Sequence, residues 1–443
     1  MDRLVRITLA FAVLAAGLAP FALAQQPTNA AEGPPESKRL VIKAGRFLDV
    51  RTGKVTPDVV VLVEGDRIAS IGGPVPAGVP TIDLSGLTVL PGLLDAHDHI
   101  LGNPKDWSPT ASLRMSAPEA AIWGVHNLQI LLAHGVIGVR DACEGLPWDY
   151  GQIALRKSIE KGLVRGPRIA AAGGCISLTG GHGDEDVLAP GQELPRLPNI
   201  ADTMDQINVA VRHDIKYGAD WIKLMATGGV MDPISDYHVQ ELSEGQMARA
   251  VEVAHRAGKH VMAHAEATEG IKAVVRAGVD SIEHGTLLDE EGAELMARKG
   301  TWLVPTLETF QRGPTVAASL GSDPASIAKQ KAILPMQQAA FETALKHRLK
   351  IAYGVDDDPE YVSKEFGALV HGGLSPLGAI QAATVNAAEL LGWAKDLGTI
   401  EVGKFADIVA VNGDPLVDIG IMERVVFVMK GGEIVKNDLG RPR

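Results

Sequence analysis

From Arg39 to Val89 the chain alternates short β-rich runs with tight turns. R-L-V-I-K-A-G, V-V-V-L-V-E-G-D-R-I-A-S-I-G-G and L-T-V-L are punctuated by Gly and Pro. After Pro91 the texture changes. Apolar strand-like runs recur at Val89–His97, Gly135–Ala142, Pro167–Gly173, Trp221–Thr227, His260–Ala265, Ser281–Gly285, Thr301–Thr306 and Ile351–Asp356. Helical spacing fills most of the gaps, as in Ser243–Ala257 and Thr268–Ala277. Such βα alternation over roughly 250 residues predicts an α/β fold, a TIM (β/α)8 barrel. The gap Thr179–Ile200, rich in Gly, Pro and acids, follows the third strand, on the face where barrels carry their working loops. After Leu397 the strand-and-turn texture returns, in L-G-T-I-E-V-G-K-F-A-D-I-V-A-V and R-V-V-F-V-M-K-G-G-E-I-V. Neither flanking piece is long enough to bury a core alone. Residues 38–90 and 397–443 are therefore expected to pair into a small β-sandwich, into which a barrel of residues 91–396 is inserted.

Composition changes this picture little. Of 443 residues, 46% are hydrophobic and 22% charged, as in an ordinary globular chain. The formal net charge of −12 argues against a nucleic-acid partner, which needs a basic face. The N-terminus is different. Arg3 and Arg6 precede an apolar run, Ile7–Leu23, that ends in Ala22-Leu23-Ala24, an A-x-A cleavage site. Gly17 and Pro20 interrupt the run, no basic stop-transfer cluster follows, and no Cys follows to carry a lipid. The expectation is an export signal over residues 1–24 and a flexible segment over 25–37. The mature protein is then periplasmic or secreted, without a stable membrane anchor. Cys143 and Cys175 can pair after export, or remain as two thiols, and spacing does not choose between these.

The chemistry gathers at the predicted strand ends, which in a parallel barrel converge on one face. The first strand ends in Asp95-Ala96-His97-Asp98-His99, and alternation points His97 and His99 the same way. The fourth, D-W-I-K-L-M-A-T-G-G, holds Lys223 inside an apolar run, where lysine is rare unless paired. The fifth offers His264, the sixth His284 and the eighth Asp356. Each signal is weak alone, since a strand histidine is more often a bonded core residue. Together they supply the nitrogen and oxygen donors that zinc or a similar divalent ion prefers. His126, His134, His213, His255, His260, His347 and His371 lie in helical or connecting segments and read as structural or surface residues.

The segments P-G-L-L-D-A-H-D-H, W-I-K-L-M-A-T-G-G, H-A-E-A-T-E-G, S-I-E-H-G-T-L-L-D and L-G-T-I-E-V-G-K-F-A-D-I-V-A-V resemble the amidohydrolase superfamily. T-G-G-H-G-D at Thr179–Asp184 and the K-x-x-x-T-G-G context are similar to its exported Xaa-Pro dipeptidase-like branch, which includes carboxypeptidase-like and ochratoxin-hydrolysing enzymes. The family's usual G-T-D-A is here Gly354-Val355-Asp356-Asp357, which keeps the ligand aspartate. The resemblance implies two divalent ions, zinc by preference, and a carboxylated Lys223 bridging them. One ion would take His97, His99, the carbamate and Asp356; the other would take the carbamate, His264 and His284. It further implies amide or peptide hydrolysis of a small molecule, a dipeptide or N-acyl amino acid, with Asp356 as proton shuttle. His182 would help hold the substrate or polarise its carbonyl. Tyr237 and Arg140 are candidates for binding a substrate carboxylate, although Arg140 and Asp141 can equally form a structural pair. Large members are often oligomers, so a homo-oligomer is one expectation. The alternatives are a lactonase or esterase on the same barrel and a non-catalytic scaffold; the filled ligand positions speak against the latter.

Overall fold

The computed structural model describes residues 38–146, 149–192, 194, 197–356 and 358–439. The expected export signal and the 25–37 segment lie outside these residues, as do Asp357 and the last four residues of the expected C-terminal piece. Among the described residues no helix is long and apolar enough to cross a membrane.

The two ends of the chain meet in one mixed sheet. Its strands are β1 (Arg39–Leu48), β2 (Val55–Glu64), β3 (Arg67–Ile71) and β4 (Thr81–Pro91) from the first piece. Later strands β12 (Ile408–Val411), β13 (Val425–Lys430) and β14 (Glu433–Asn437) complete it, in the order β14-β13-β12-β4-β1-β2-β3. The join between the pieces is β4 against β12, antiparallel, from Ile408 opposite Pro91 to Val411 opposite Thr88. Strands from both ends share an apolar core that includes Ile42, Val61, Val89, Ile408 and Phe427. The sandwich-like unit expected from the sequence is thus one continuous hydrogen-bonded sheet around its own core.

Between these pieces runs the barrel. Its parallel strands are β5 (Leu93–Asp98), β6 (Val136–Asp141), β7 (Arg168–Ile176), β8 (Trp221–Met225), β9 (His260–Ala265), β10 (Ser281–His284) and β11 (Trp302–Val304). Val89–Pro91, read from sequence as the start of the first barrel strand, belongs instead to β4 in the terminal sheet. Helices connect the barrel strands where the spacing predicts them. Glu244–Arg256 opens on a capping box in which Ser243 and Gln246 satisfy each other's backbone N–H groups. Thr268–Ala277 closes on Gly278 at φ 98°, a left-handed cap suited to glycine.

The eighth segment, residues 351–356, is irregular yet closes the ring. On one side Leu303 N donates to Lys350 O (2.8 Å) and Ala352 N to Leu303 O (3.0 Å). On the other, Ala96 N donates to Tyr353 O (2.8 Å), and Val355 N and Asp356 N both donate to His97 O (3.0 and 2.8 Å). Gly354 allows this approach: a Cβ there would lie 2.7 Å from His97 Cβ and 2.4 Å from Val304 Cγ1.

Candidate active site

The strand ends deliver their side chains to one cavity of about 400 Å³, lined by His97, His99, Lys223, His264, His284 and Asp356 among others. All six predicted ligands are therefore together. His97 Nε2 and His99 Nε2 stand 3.0 and 3.1 Å from the same Asp356 oxygen, Oδ1. His284 Nδ1 is 3.9 Å from Oδ2. The His97 ring centre is 5.0 Å from that of His284, which is 4.8 Å from that of His264.

Each imidazole is oriented from behind. His97 Nδ1 donates to Glu283 Oε2 at 2.6 Å, and His99 Nδ1 to the Cys143 carbonyl at 2.7 Å. His264 Nε2 donates to Gly228 O at 3.1 Å, while His284 Nδ1 meets Thr306 Oγ1 at 2.8 Å. In every case one ring nitrogen is engaged with the surrounding protein, which fixes the direction of the other, the arrangement found behind metal-ligating histidines. Burial, with neighbouring positive groups, pushes His264 well below the ordinary imidazole value and His284 down to about 3, so both rings are neutral.

Lys223 is 1% exposed, and its side-chain amine makes no hydrogen bond or ion pair with a described residue. Burial lowers its amine, and the nearby carboxylates of Glu283 and Asp356 only partly oppose this. Burial pushes the Asp356 carboxyl up, but His97 and His284 more than offset this and hold it well below the usual carboxylate range.

The donor set fits a cation. His97 Nε2 is buried without a hydrogen-bond partner, and it confronts an acceptor oxygen. One donor atom from each of His97, His99 and Asp356 lies within 4.8 Å of the others. Such a cluster of imidazole nitrogens and a carboxylate oxygen suits zinc or a related divalent ion.

Backbone strain is concentrated at the same place. His284 and Asp356 both lie at φ 69°, and Thr306, which orients His284, at φ 47°. Left-handed backbone is rare for non-glycine residues, most of all for β-branched ones, and persists where surrounding structure enforces it.

The three substrate-side candidates separate. His182 lines the cavity; its Nδ1 donates to Asp232 Oδ2 at 2.6 Å and its ring centre is 4.3 Å from that of His264. Gly229 makes room for it, since a Cβ there would meet the His182 ring at 2.4 Å. Tyr237 is nearly buried in an apolar cluster with Val230, Phe310 and Ile333, so only its neighbours Val230 and Phe310 line the cavity. Arg140 is not presented to a ligand at all. It is fully buried, its guanidinium donating to Glu283 Oε1 (2.8 Å), Ser281 Oγ (3.1 Å) and the Ala96 carbonyl and lying 4.4 Å over the Trp221 ring. Its carboxylate partner is Glu283, not the adjacent Asp141. Arg140, Trp221 and Ser281 come from β6, β8 and β10, alternate strands that form one interior layer.

Glu283 is the functional residue that sequence reading passed over. Burial pushes its carboxyl up, but Arg140 and His97 bring it down to about 2, so it is an anion holding the ring of His97, a predicted ligand. Its signal was present: a glutamate inside the strand S-I-E-H is the same burial anomaly as Lys223. Glu266, two residues beyond His264, is a second such case, fully buried, lining the cavity, and raised well above the usual range by burial. Cys143 and Cys175, left open above, form a disulfide.

Comparison with known proteins agrees with this geometry. Residues 88–435 match the profile of the amidohydrolase family. Ochratoxinase from Aspergillus niger is 32% identical over 373 residues, covering 79% of this chain and 75% of that protein. A prolidase solved with N-methylphosphonate-L-proline superposes with a TM-score of 0.84 at 34% identity, over 90% of this chain and 100% of its own. A Xaa-Pro dipeptidase with methionine in its active site gives a TM-score of 0.84 at 31% identity, over 89% and 99%. A barrel with these strand ends, matched along most of its length by such relatives, belongs to the amidohydrolase family, in its dipeptidase-like branch, and hydrolyses C–N bonds.

Proposed function

We propose that the protein is a binuclear metal-dependent hydrolase of a small amide, a dipeptide or N-acyl amino acid. The observation that carries this is the convergence of His97, His99 and Asp356 donor atoms within 4.8 Å, in a cavity that also holds the unpartnered Lys223. His97, His99 and Asp356 would hold one ion, His264 and His284 the second, with carboxylated Lys223 shared between them. Zinc suits these donors best. When bound, such ions polarise a scissile carbonyl and acidify a water.

The protein's own groups supply the rest. Burial favours the neutral form of the Lys223 amine, and in that form it can add carbon dioxide, forming an N–C bond and releasing a proton, to give an anion with two oxygens. Asp356 Oδ2, turned from His97 and His99, takes the proton of the attacking water and returns it to the leaving nitrogen. His182, steadied by Asp232, faces the same cavity and is suited to hold the substrate or polarise its carbonyl. Prolidase and ochratoxinase relatives favour a dipeptide or an ochratoxin-like amide as substrate. The signal-like N-terminus favours a location outside the cytoplasm, and the disulfide would suit such a compartment.

The test is a panel of Xaa-Pro, Xaa-Arg and Xaa-Phe dipeptides and N-acyl amino acids, assayed on zinc-loaded protein with metal content measured in parallel. Turnover of at least one amide with close to two ions per chain is expected. Turnover of lactones or esters alone would overturn the amide assignment.

A further inference from the structure

The Cys143–Cys175 disulfide lies between two neighbouring barrel strands, with Cα atoms 5.2 Å apart, and both half-cystines line the cavity. The strand ladder is interrupted at this point. Regular pairing of β6 with β7 ends at Asp141 opposite Ala171. Beyond it, among the described residues, a single bridge joins Glu144 with Gly174. The pairing of β7 with β8 shifts register between Ala172 and Cys175. The disulfide therefore joins two strand ends that backbone hydrogen bonds hold poorly.

Those strand ends carry the ligand set. The Cys143 carbonyl accepts the His99 Nδ1 hydrogen bond at 2.7 Å, which fixes the ring so that Nε2 faces Asp356. On the other side, Cys175 is the register partner of Lys223 on β8. One covalent bridge thus fixes the backbone behind one ligand and beside another, at positions where an orienting partner governs metal affinity.

We propose that the Cys143–Cys175 disulfide is a positioning element of the metal site, and that tight metal retention requires the oxidised pair. The inference rests on the two-metal reading above. Reduction by a phosphine breaks the S–S bond. The two sulfurs take up two electrons and two protons, and the phosphine takes oxygen from water to become its oxide.

Three samples of the mature protein test it: oxidised, phosphine-reduced with the reductant removed, and the double variant Cys143→Ser/Cys175→Ser. Each is loaded with zinc and dialysed against graded dipicolinate, with zinc per chain, free thiols and thermal unfolding measured. The reduced protein should show two thiols. It and the double variant should lose half their zinc at about 10-fold lower chelator or less, while still folded at the assay temperature. Reoxidation should restore the original midpoint. Identical midpoints in all three, with only a lower melting temperature after reduction, would overturn the proposal and leave the bridge a plain staple of the fold. An oxidised protein that holds no zinc at any chelator concentration would instead sink the metal-site reading itself. If the double variant does not fold, the reduced protein carries the comparison.

Discussion

The terminal sheet and the working end of the barrel are both well-buried β structure, yet they are built to different standards. The sheet core is dominated by apolar side chains, with Phe427, Ile408 and Val61 at 0% exposure, and its buried Thr88 hydroxyl donates to the Gly413 carbonyl. At the barrel's strand ends, Lys223, Glu283, His264 and Asp95 are equally buried, an imidazole nitrogen has no hydrogen bond, and three non-glycine residues adopt left-handed backbone. Local rules are largely kept in the first region, where Asp58 of β2 at φ 53° departs from them, and are broken repeatedly in the second. A fold tolerates such violations where a function requires them. Substitution in the sheet should therefore cost stability alone, and substitution at the strand ends should cost metal affinity or turnover, with or without stability.

The largest effect is expected at Lys223. Lys223→Ala should lower kcat/KM by about a thousandfold or more and reduce bound metal, with partial recovery on adding a small carboxylate such as propionate. Full metal content and turnover without that addition would remove Lys223 from the site. Glu283→Gln comes next. It weakens the acceptor behind His97 and leaves Arg140 buried without its counter-ion, so metal affinity should fall about 10- to 100-fold. Stability should fall by about 3–5 kcal/mol, read by denaturant unfolding of the apo-protein. Phe427→Ala probes the other region. A loss of about 3–5 kcal/mol is expected from the cavity, with kcat and KM of the folded fraction unchanged; altered kinetics would show that the regions are coupled. Thr306→Gly should have the smallest effect. Release of the left-handed strain offsets the extra chain entropy of glycine, so stability should move by about 1 kcal/mol or less. Without the hydroxyl that orients His284, turnover should still fall about 10-fold.

The contrast also explains what could be read from the sequence. The barrel runs are legible because buried parallel strands are continuous apolar stretches, and the His97/His99 alternation is set by the strand's own period. Ser243 and Gln246 announce a helix start through purely local bonds. Non-local decisions are not written this way. Pro91-Gly92 marks a break between Val89–Pro91 and Leu93–Asp98, but only the arrival of β12 beside β4 assigns the first piece to the terminal sheet. Arg140 lies beside Asp141 in sequence, but barrel closure brings in Glu283 as its partner. The disulfide was undecided because spacing carries no information on whether two strand ends become neighbours. Asp356 was identifiable as a donor, while its backbone conformation depends on Gly354 passing against His97.

That passage has a consequence for the order in which the molecule can come into being. The carbonyl of His97 receives the N–H groups of Val355 and Asp356, so the first ligand strand is completed by almost the last barrel segment to be synthesised. A growing chain that has delivered all four histidines of the proposed metal site still lacks Asp356 and an intact ring. On that proposal hydrolytic competence would be withheld until the barrel is closed, and the closing contact itself would seat the last predicted ligand.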